Sequence, residues 1–245
     1  MILPSQKDAL HKVWLYRTLT EIFDDVFLAQ NLAFKGGTCA AMLGVLDRFS
    51  VDLDFDFTGS SENLSETRVR LEKIFSNLGL AIRDQSKVAP QYFLKYEAKE
   101  GERNTMKIDV TFPPPKANIY ETKHFAEIDR IFSCQTFETM FANKLVALME
   151  RHQKNDSIAG RDVYDIQHFF LNGFRYNEAV IIERTGKDIP KFFDDLILFV
   201  EKHITNEMLS QDLNTLLPYE KFTKIRKTLR QETLMFLRDE RTRVG

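Results

Sequence analysis

An α+β fold is what this sequence predicts: a mixed sheet with flanking helices over residues 1–135, followed by a helical region over 136–245. Three observations carry that expectation. Segments with period-two alternation of apolar and polar residues cluster in the first half. Helical periodicity fills the second half almost without interruption. The change of character falls between Pro115 and Gln135, just after the run Pro113, Pro114, Pro115.

The elements follow in order. The first thirty residues set Leu10, Val13, Trp14, Leu19, Ile22, Phe23 and Val26 at mostly helical spacing, with Ser5 or a neighbour as the cap. LAFKGGT then reads as a short apolar strand stopped by Gly36 and Gly37, and CAAMLGVL as the start of a helix. FSVDLDFDF alternates strictly, with Phe49, Val51, Leu53, Phe55 and Phe57 on one face and Ser50, Asp52, Asp54 and Asp56 on the other. Residues 62–78 form an amphipathic helix that Gly79 can stop. QYFLKYEA and NTMKIDVTF, joined by KEGER, read as a hairpin that the prolines end, because proline cannot donate to a sheet ladder. Helices are expected at about 136–153, 160–172, 176–186, 189–206 and 218–240.

Bulk composition excludes several classes. With 43% hydrophobic residues and 21 phenylalanines among 245 residues, the chain can bury a sizeable core. A formal net charge of −2 does not mark a nucleic-acid binder, so any phosphate must be met by local patches. Cys39 and Cys134 are far apart in sequence and have no paired-ligand spacing, which implies neither a disulfide framework nor zinc. The histidines also lack ligand spacing. MILPSQKDALHKVW lacks the basic start and apolar run of a signal peptide, and no segment approaches the roughly 20 apolar residues that span a bilayer. The expectation is a soluble, cytoplasmic protein with no membrane partner.

The acid strand carries the chemistry. Neighbouring same-face positions on a strand are about 6.6 Å apart, so Asp52, Asp54 and Asp56 repel one another unless a cation sits among them. The alternative is the solvated outer face of an edge strand, where acids discourage aggregation. KIDVTF alternates too, with Ile108, Val110 and Phe112 inward and Lys107, Asp109 and Thr111 opposite. If that strand lies beside the acid strand, an all-carboxylate set converges, which suits magnesium or manganese rather than zinc. Gly36 and Gly37, between a strand and a small-residue helix, form either a plain tight turn or an anion site of backbone N–H groups, to which Thr38 adds a hydroxyl. The spacing matches neither a phosphate-binding Walker loop nor a dinucleotide fingerprint.

The ordered set KGGTCAAML, DRFSVDLDF, KIDV, NKLVAL and GRDVYDI, over roughly residues 30–172, resembles the AbiEii/AbiGii-type nucleotidyltransferases. These are toxin components of bacterial toxin–antitoxin and phage-defence systems, within the DNA polymerase beta-like superfamily. The resemblance implies a nucleotidyltransferase-like mixed sheet, a helical C-terminal part, Mg2+ or Mn2+, and a nucleoside triphosphate donor. It also implies an acceptor that is RNA, in some relatives the 3′ end of transfer RNA, and a cognate antitoxin. Carried over by position, Gly36, Gly37 and Thr38 would cradle phosphates, with Arg48 and Ser50 beside them. Asp52 and Asp54 would bind metal, and Asp109 would supply a third carboxylate able to activate the acceptor hydroxyl. Thr38 departs from the serine that commonly follows the glycine. Asp56 is an extra acid and is not counted as a ligand.

Two helical motifs belong to the same set. Lys144 lies among Phe141, Leu145 and Leu148 and either snorkels to solvent or, as the resemblance implies, contacts phosphate. Asp162 and Asp165 either complement a helix dipole or, in the family's usage, Asp162 orients Lys144 or Arg48. Arg48 has the alternative of a surface ion pair with Asp47 or a neighbour. From Lys221 to Gly245 eight Lys or Arg stand against three acids, a local excess open to an RNA backbone or to ordinary solvation. Two other functions remain: transfer to a small molecule or protein hydroxyl, and a catalytically inactive binding module of the same fold.

Overall fold

The computed structural model describes residues 1–155 and 157–245, and the chain divides into two compact units. The first comprises Met1–Pro114 and Ile119–Gln135; the second comprises Pro115–Asn118 and Thr136–Gly245. Among the described residues no helix is long and apolar enough to cross a membrane.

The first unit is built on α1 (Ala9–Asp24), α2 (Val26–Asn31), β1 (Leu32–Lys35), α3 (Gly36–Met42), β2 (Asp52–Phe57) and α4 (Leu64–Asn77). Five more strands follow: β3 (Ala81–Gln85), β4 (Gln91–Lys95), β5 (Thr105–Thr111), β6 (Tyr120–Phe125) and β7 (Arg130–Gln135). The seven strands form one mixed sheet in the order β3-β4-β5-β2-β1-β7-β6. β2 is antiparallel to β1 but parallel to β5, and β1 is parallel to β7.

The alternation of β2 and β5 decides which face is buried. Leu53, Phe55, Ile108 and Val110 are fully inaccessible. Phe34 and Phe55 meet at 5.2 Å, and Phe23 of α1 lies on Phe34, Phe125 and Phe132, stacking flat on the last at 3.8 Å. Phe75 of α4 meets Tyr92 of β4 edge-on at 5.1 Å. Such aromatic pairs add to the burial that holds helices against a sheet. Asp52 and Asp54 of the opposite parity stay half-buried.

The expected hairpin is β4–β5, with Tyr92 opposite Ile108. Three strands were not expected. β3 is exposed at every residue and shows no alternation, because it is the sheet's edge. β6 and β7 form a second hairpin whose turn places Asp129 at φ 50°, and β6 is mostly polar because it is the other edge. The expected strand from Phe49 begins instead at Asp52, where its pairing with Lys107 of β5 begins.

The second unit holds α5 (Phe137–Asn155), α6 (Gly160–Leu171), α7 (Glu178–Thr185), α8 (Ile189–His203), α9 (Asn206–Leu213), α10 (Tyr219–Ile225) and α11 (Leu229–Val244). Phe141 stacks on Phe169 at 4.8 Å amid buried Leu145, Ile166, Ile181, Phe192 and Leu237. Asp188 caps α8 through the Lys191 amide at 2.8 Å, and Gly186 ends α7 at φ 67°. The last expected helix is broken: exposed Arg226, Lys227 and Thr228 separate α10 from α11, which restarts so that Leu229 is buried. The helix α9, not expected from sequence, is capped by Thr205 through the Met208 amide at 3.2 Å.

Candidate active site

The strand order brings the predicted residues of the first unit to one region. β2 lies between β1 and β5, so Asp54 stands directly opposite Lys35 on one side and Asp109 on the other. Asp52 is opposite Lys107. Register partners share a face, so these four side chains and Asp109 project from the side of the sheet away from the aromatic core. Gly36 opens α3 at φ 79°, and a Cβ there would lie 2.4 Å from Asp54 Oδ2. The turn therefore needs glycine twice over, for the left-handed backbone and for the close approach of the carboxylate. At Gly37 a Cβ would meet Arg48 Nη2 at 2.6 Å and Ser50 Oγ at 2.9 Å. Arg48, Ser50 and the glycine turn are thus brought together.

Thr38 is fully buried and donates its hydroxyl to the Asp52 carbonyl at 2.5 Å, so it fastens α3 to the start of the acid strand. Arg48 is 2% exposed and donates from Nη1 to the Phe49 carbonyl at 2.8 Å, so it lies inside the fold rather than at the surface. Asp109 accepts from Gln91 Nε2 at 3.1 Å and pairs with Lys107 through the same oxygen. Among the described residues no group of three or more His, Cys, Asp or Glu is drawn together as a metal cage. Magnesium does not need one: it is ordinarily held by one or two carboxylates, with waters and substrate phosphates completing the shell. The all-oxygen pair of Asp54 and Asp109 on adjacent strands fits that chemistry.

Asp56 does different work. It is fully buried and accepts from Lys35 Nζ at 2.7 Å, Tyr120 Oη at 3.0 Å and Gln135 Nε2 at 2.6 Å. Lys35 also donates to Thr111 Oγ1 at 2.6 Å. This closed network ties β1, β2, β5, β6 and β7 together beside Asp54. Sequence reasoning missed Lys35, Lys107 and Gln91. The signal for Lys107 was its parity with Asp109, and for Lys35 its place just before the glycines.

His11, without ligand spacing in the sequence, has a structural role. Its Nε2 lies 2.9 Å from the Val51 carbonyl, so that nitrogen carries the proton, and Nδ1 accepts from the Tyr96 hydroxyl. Burial holds its pKa below the usual histidine value, in keeping with a neutral ring. The bond pins the residue that precedes Asp52. Cys39 and Cys134 are both free and buried, and burial together with the adjoining Cys134 thiol pushes Cys39 up.

The second unit contains a separate charged cluster. Lys144 Nζ lies 2.7 Å from Asp162 Oδ1 and 2.9 Å from Asp165 Oδ2, and both acids are fully buried. Arg151 Nε is 3.2 Å from Asp162 Oδ2. Lys144 is therefore ion-paired rather than snorkelling. Burial opposes ionisation of Asp162, but the Lys144 ammonium and the Arg151 guanidinium outweigh it and hold the carboxyl at about 2. A depressed acid contributes stability above its unfolded value of 3.8, and that contribution is lost as pH falls through about 2. Asp162→Asn is expected to cost about 2 kcal/mol at neutral pH. The gap from the native protein in urea unfolding should close between about pH 4 and pH 2. A gap that stays constant over that interval would rule out the pairing as the cause.

A profile of the family described as "Nucleotidyl transferase AbiEii toxin, Type IV TA system" matches residues 17–238. Among solved structures, a Helicobacter pylori protein described as a candidate nucleotidyltransferase superposes with a TM-score of 0.63 at 16% identity, covering 98% of this chain and 97% of the other. JHP933 from Helicobacter pylori gives 0.58 at 17%, covering 99% and 95%. MenT4, a nucleotidyltransferase toxin from Mycobacterium tuberculosis, gives 0.58 at 17%, covering 97% and 87%. At these identities the likeness is one of fold. No protein of curated function matches the chain. With nine-tenths of its length inside the family profile, the chain is a nucleotidyltransferase and belongs to the AbiEii toxin family.

Proposed function

We propose that this enzyme transfers a nucleoside monophosphate from a nucleoside triphosphate to RNA, with the 3′ end of transfer RNA as the specific acceptor to test. It does so as a toxin held in check by a cognate antitoxin, in a toxin–antitoxin or phage-defence setting. The observation that carries the reading is the placement of Asp54 between the Gly36 turn and Asp109, on adjacent strands. A phosphate site and a pair of acids side by side are what phosphoryl transfer needs, because positioning and charge stabilisation supply most of its catalysis.

In this reading the N–H groups at Gly36 and Gly37 and the guanidinium of Arg48 bind the phosphates, and Ser50 lies beside them. Asp52, Asp54 and Asp109 would hold Mg2+ or Mn2+, which when bound neutralises the phosphate charge that builds up in transfer. The acceptor hydroxyl attacks the α-phosphorus, a new P–O bond forms, the α–β bridging bond breaks and pyrophosphate leaves. The hydroxyl proton goes to Asp109, whose partners Lys107 and Gln91 set its position. Lys144, oriented by Asp162 and Asp165, is the cation to which the family pattern gives a phosphate contact.

The test is incubation of the purified protein with magnesium, total bacterial RNA and each α-labelled nucleoside triphosphate in turn. Label is expected in RNA from one donor and should be absent with Asp52→Asn. Label confined to small molecules or protein would transfer the reading to those acceptors. No metal-dependent triphosphate binding would leave a binding module.

A further inference from the structure

We infer that the open face of β4 and β5 is a stacking platform for an unpaired nucleobase of the acceptor, centred on Phe93; this rests on the proposed transfer to a nucleic acid. Phe93 is 42% exposed, whereas its neighbours Tyr92 and Leu94 are fully buried. It is the one exposed Phe, Tyr or Trp in the first unit. An aromatic ring left in water costs stability that burial would recover, and this one stands on the same face as the acids. The register Phe93, Lys107, Asp52 runs straight across three strands. Phe93 is therefore about two strand spacings, or roughly 10 Å, from Asp52.

Its surroundings suit a nucleotide. Lys107 Nζ lies 5.9 Å from the Phe93 ring centroid, and the same ammonium reaches Asp109. Lys95 is exposed two residues along β4 on the same face. Aromatic rings that stack bases, with cations beside them for the backbone, are how single strands are held without sequence preference. Asp84, opposite Phe93 on the edge strand, turns its carboxylate back to the Gln85 amide at 2.9 Å.

The strand order distinguishes the two possible sources of the base. The Gly36 turn, where the donor phosphates are proposed to bind, opens α3 from the end of β1, on one side of β2. Phe93 lies on the other side, beyond Asp109. In-line displacement places the attacking hydroxyl opposite the leaving group, so the β4–β5 side is assigned to the acceptor.

Phe93→Trp supplies a reporter, since the only native tryptophan is Trp14 and its signal can be subtracted. Titration with a short single-stranded RNA of mixed sequence should quench the new indole, and each nucleoside triphosphate alone should not. Phe93→Ala, at an exposed position the fold tolerates, should raise the acceptor KM by about 5- to 100-fold, leave the donor KM unchanged, and be rescued by Phe93→Tyr. Quenching by triphosphates with a raised donor KM would overturn the acceptor assignment. Wild-type labelling of RNA with kinetics unaltered in Phe93→Ala would overturn the platform alone. Quenching by RNA in an enzyme that labels no RNA would sustain the platform and sink the transfer reading.

Discussion

Asp54→Asn is expected to lower nucleotidyl transfer by about 10³-fold while leaving the protein as stable as before. Asparagine keeps the shape of the side chain, so the approach to Gly36, where a Cβ would come within 2.4 Å of Oδ2, is preserved. What is lost is a negative charge at the point where phosphate and cation are proposed to meet. Losing one charged ligand forfeits several kcal/mol of transition-state stabilisation, and about 4 kcal/mol corresponds to three decades of rate. Stability should hold or rise slightly, because Asp54 and Asp109 are like charges in register on paired strands. Single-turnover transfer and thermal unfolding, measured on the same preparation, separate the two effects. Transfer retained within tenfold would remove Asp54 from the machinery.

Asp56→Ala should behave in the opposite way, with loss of stability as its primary effect. Its carboxylate is fully buried and neutralises Lys35 at 2.7 Å while accepting from Tyr120 and Gln135. Breaking a buried pair leaves a charge without its counter-ion and typically costs 3–5 kcal/mol. The Lys35 side chain is 19% exposed and can relax toward water, which points to the lower end, about 3 kcal/mol. For a chain of this size that is a drop of roughly 6 to 12 °C in Tm. An unchanged Tm by calorimetry would falsify the network as a support of the sheet. Asp54 and Asp56 are two residues apart on one strand face and differ because of what their neighbours offer. Asp54 faces the close backbone of Gly36, while Asp56 accepts from a lysine, a tyrosine and a glutamine.

That difference marks how far the sequence could be read. Alternation showed which face of β2 and β5 turns inward, and the resemblance supplied the order of the motifs. Period and spacing are local properties, so elements with a clear inward face were legible. β3 was not, since an edge strand exposed at every residue has no alternation to show. β6 was obscured in the same way by its polar residues. Partners across the sheet lay further out of reach. Nothing near Asp56 in the chain announces Tyr120 and Gln135, and nothing near Lys107 announces Phe93. Cys39 and Cys134, read as unrelated, lie side by side because β1 leads into α3 and pairs in parallel with β7. For Lys144 and Asp162, 2.7 Å apart in the fold, the only pointer in the sequence is the family pattern, which leaves Asp162 to orient Lys144 or Arg48.

The parallel pairing of β2 with β5 has a consequence for how the protein comes into being. Its two acids are 55 positions apart in the chain, and between them lie α4, β3 and β4. Parallel, non-local pairing forms late because a long loop must close first. A ribosome that has finished the glycine turn and β2 has therefore not yet made the whole of the proposed site. Asp109 joins only after the β4–β5 hairpin has been synthesised and zipped onto β2. On the proposed assignment of the acids, prematurely terminated chains that stop before Thr105 lack the second of them, so such fragments carry only part of the proposed site.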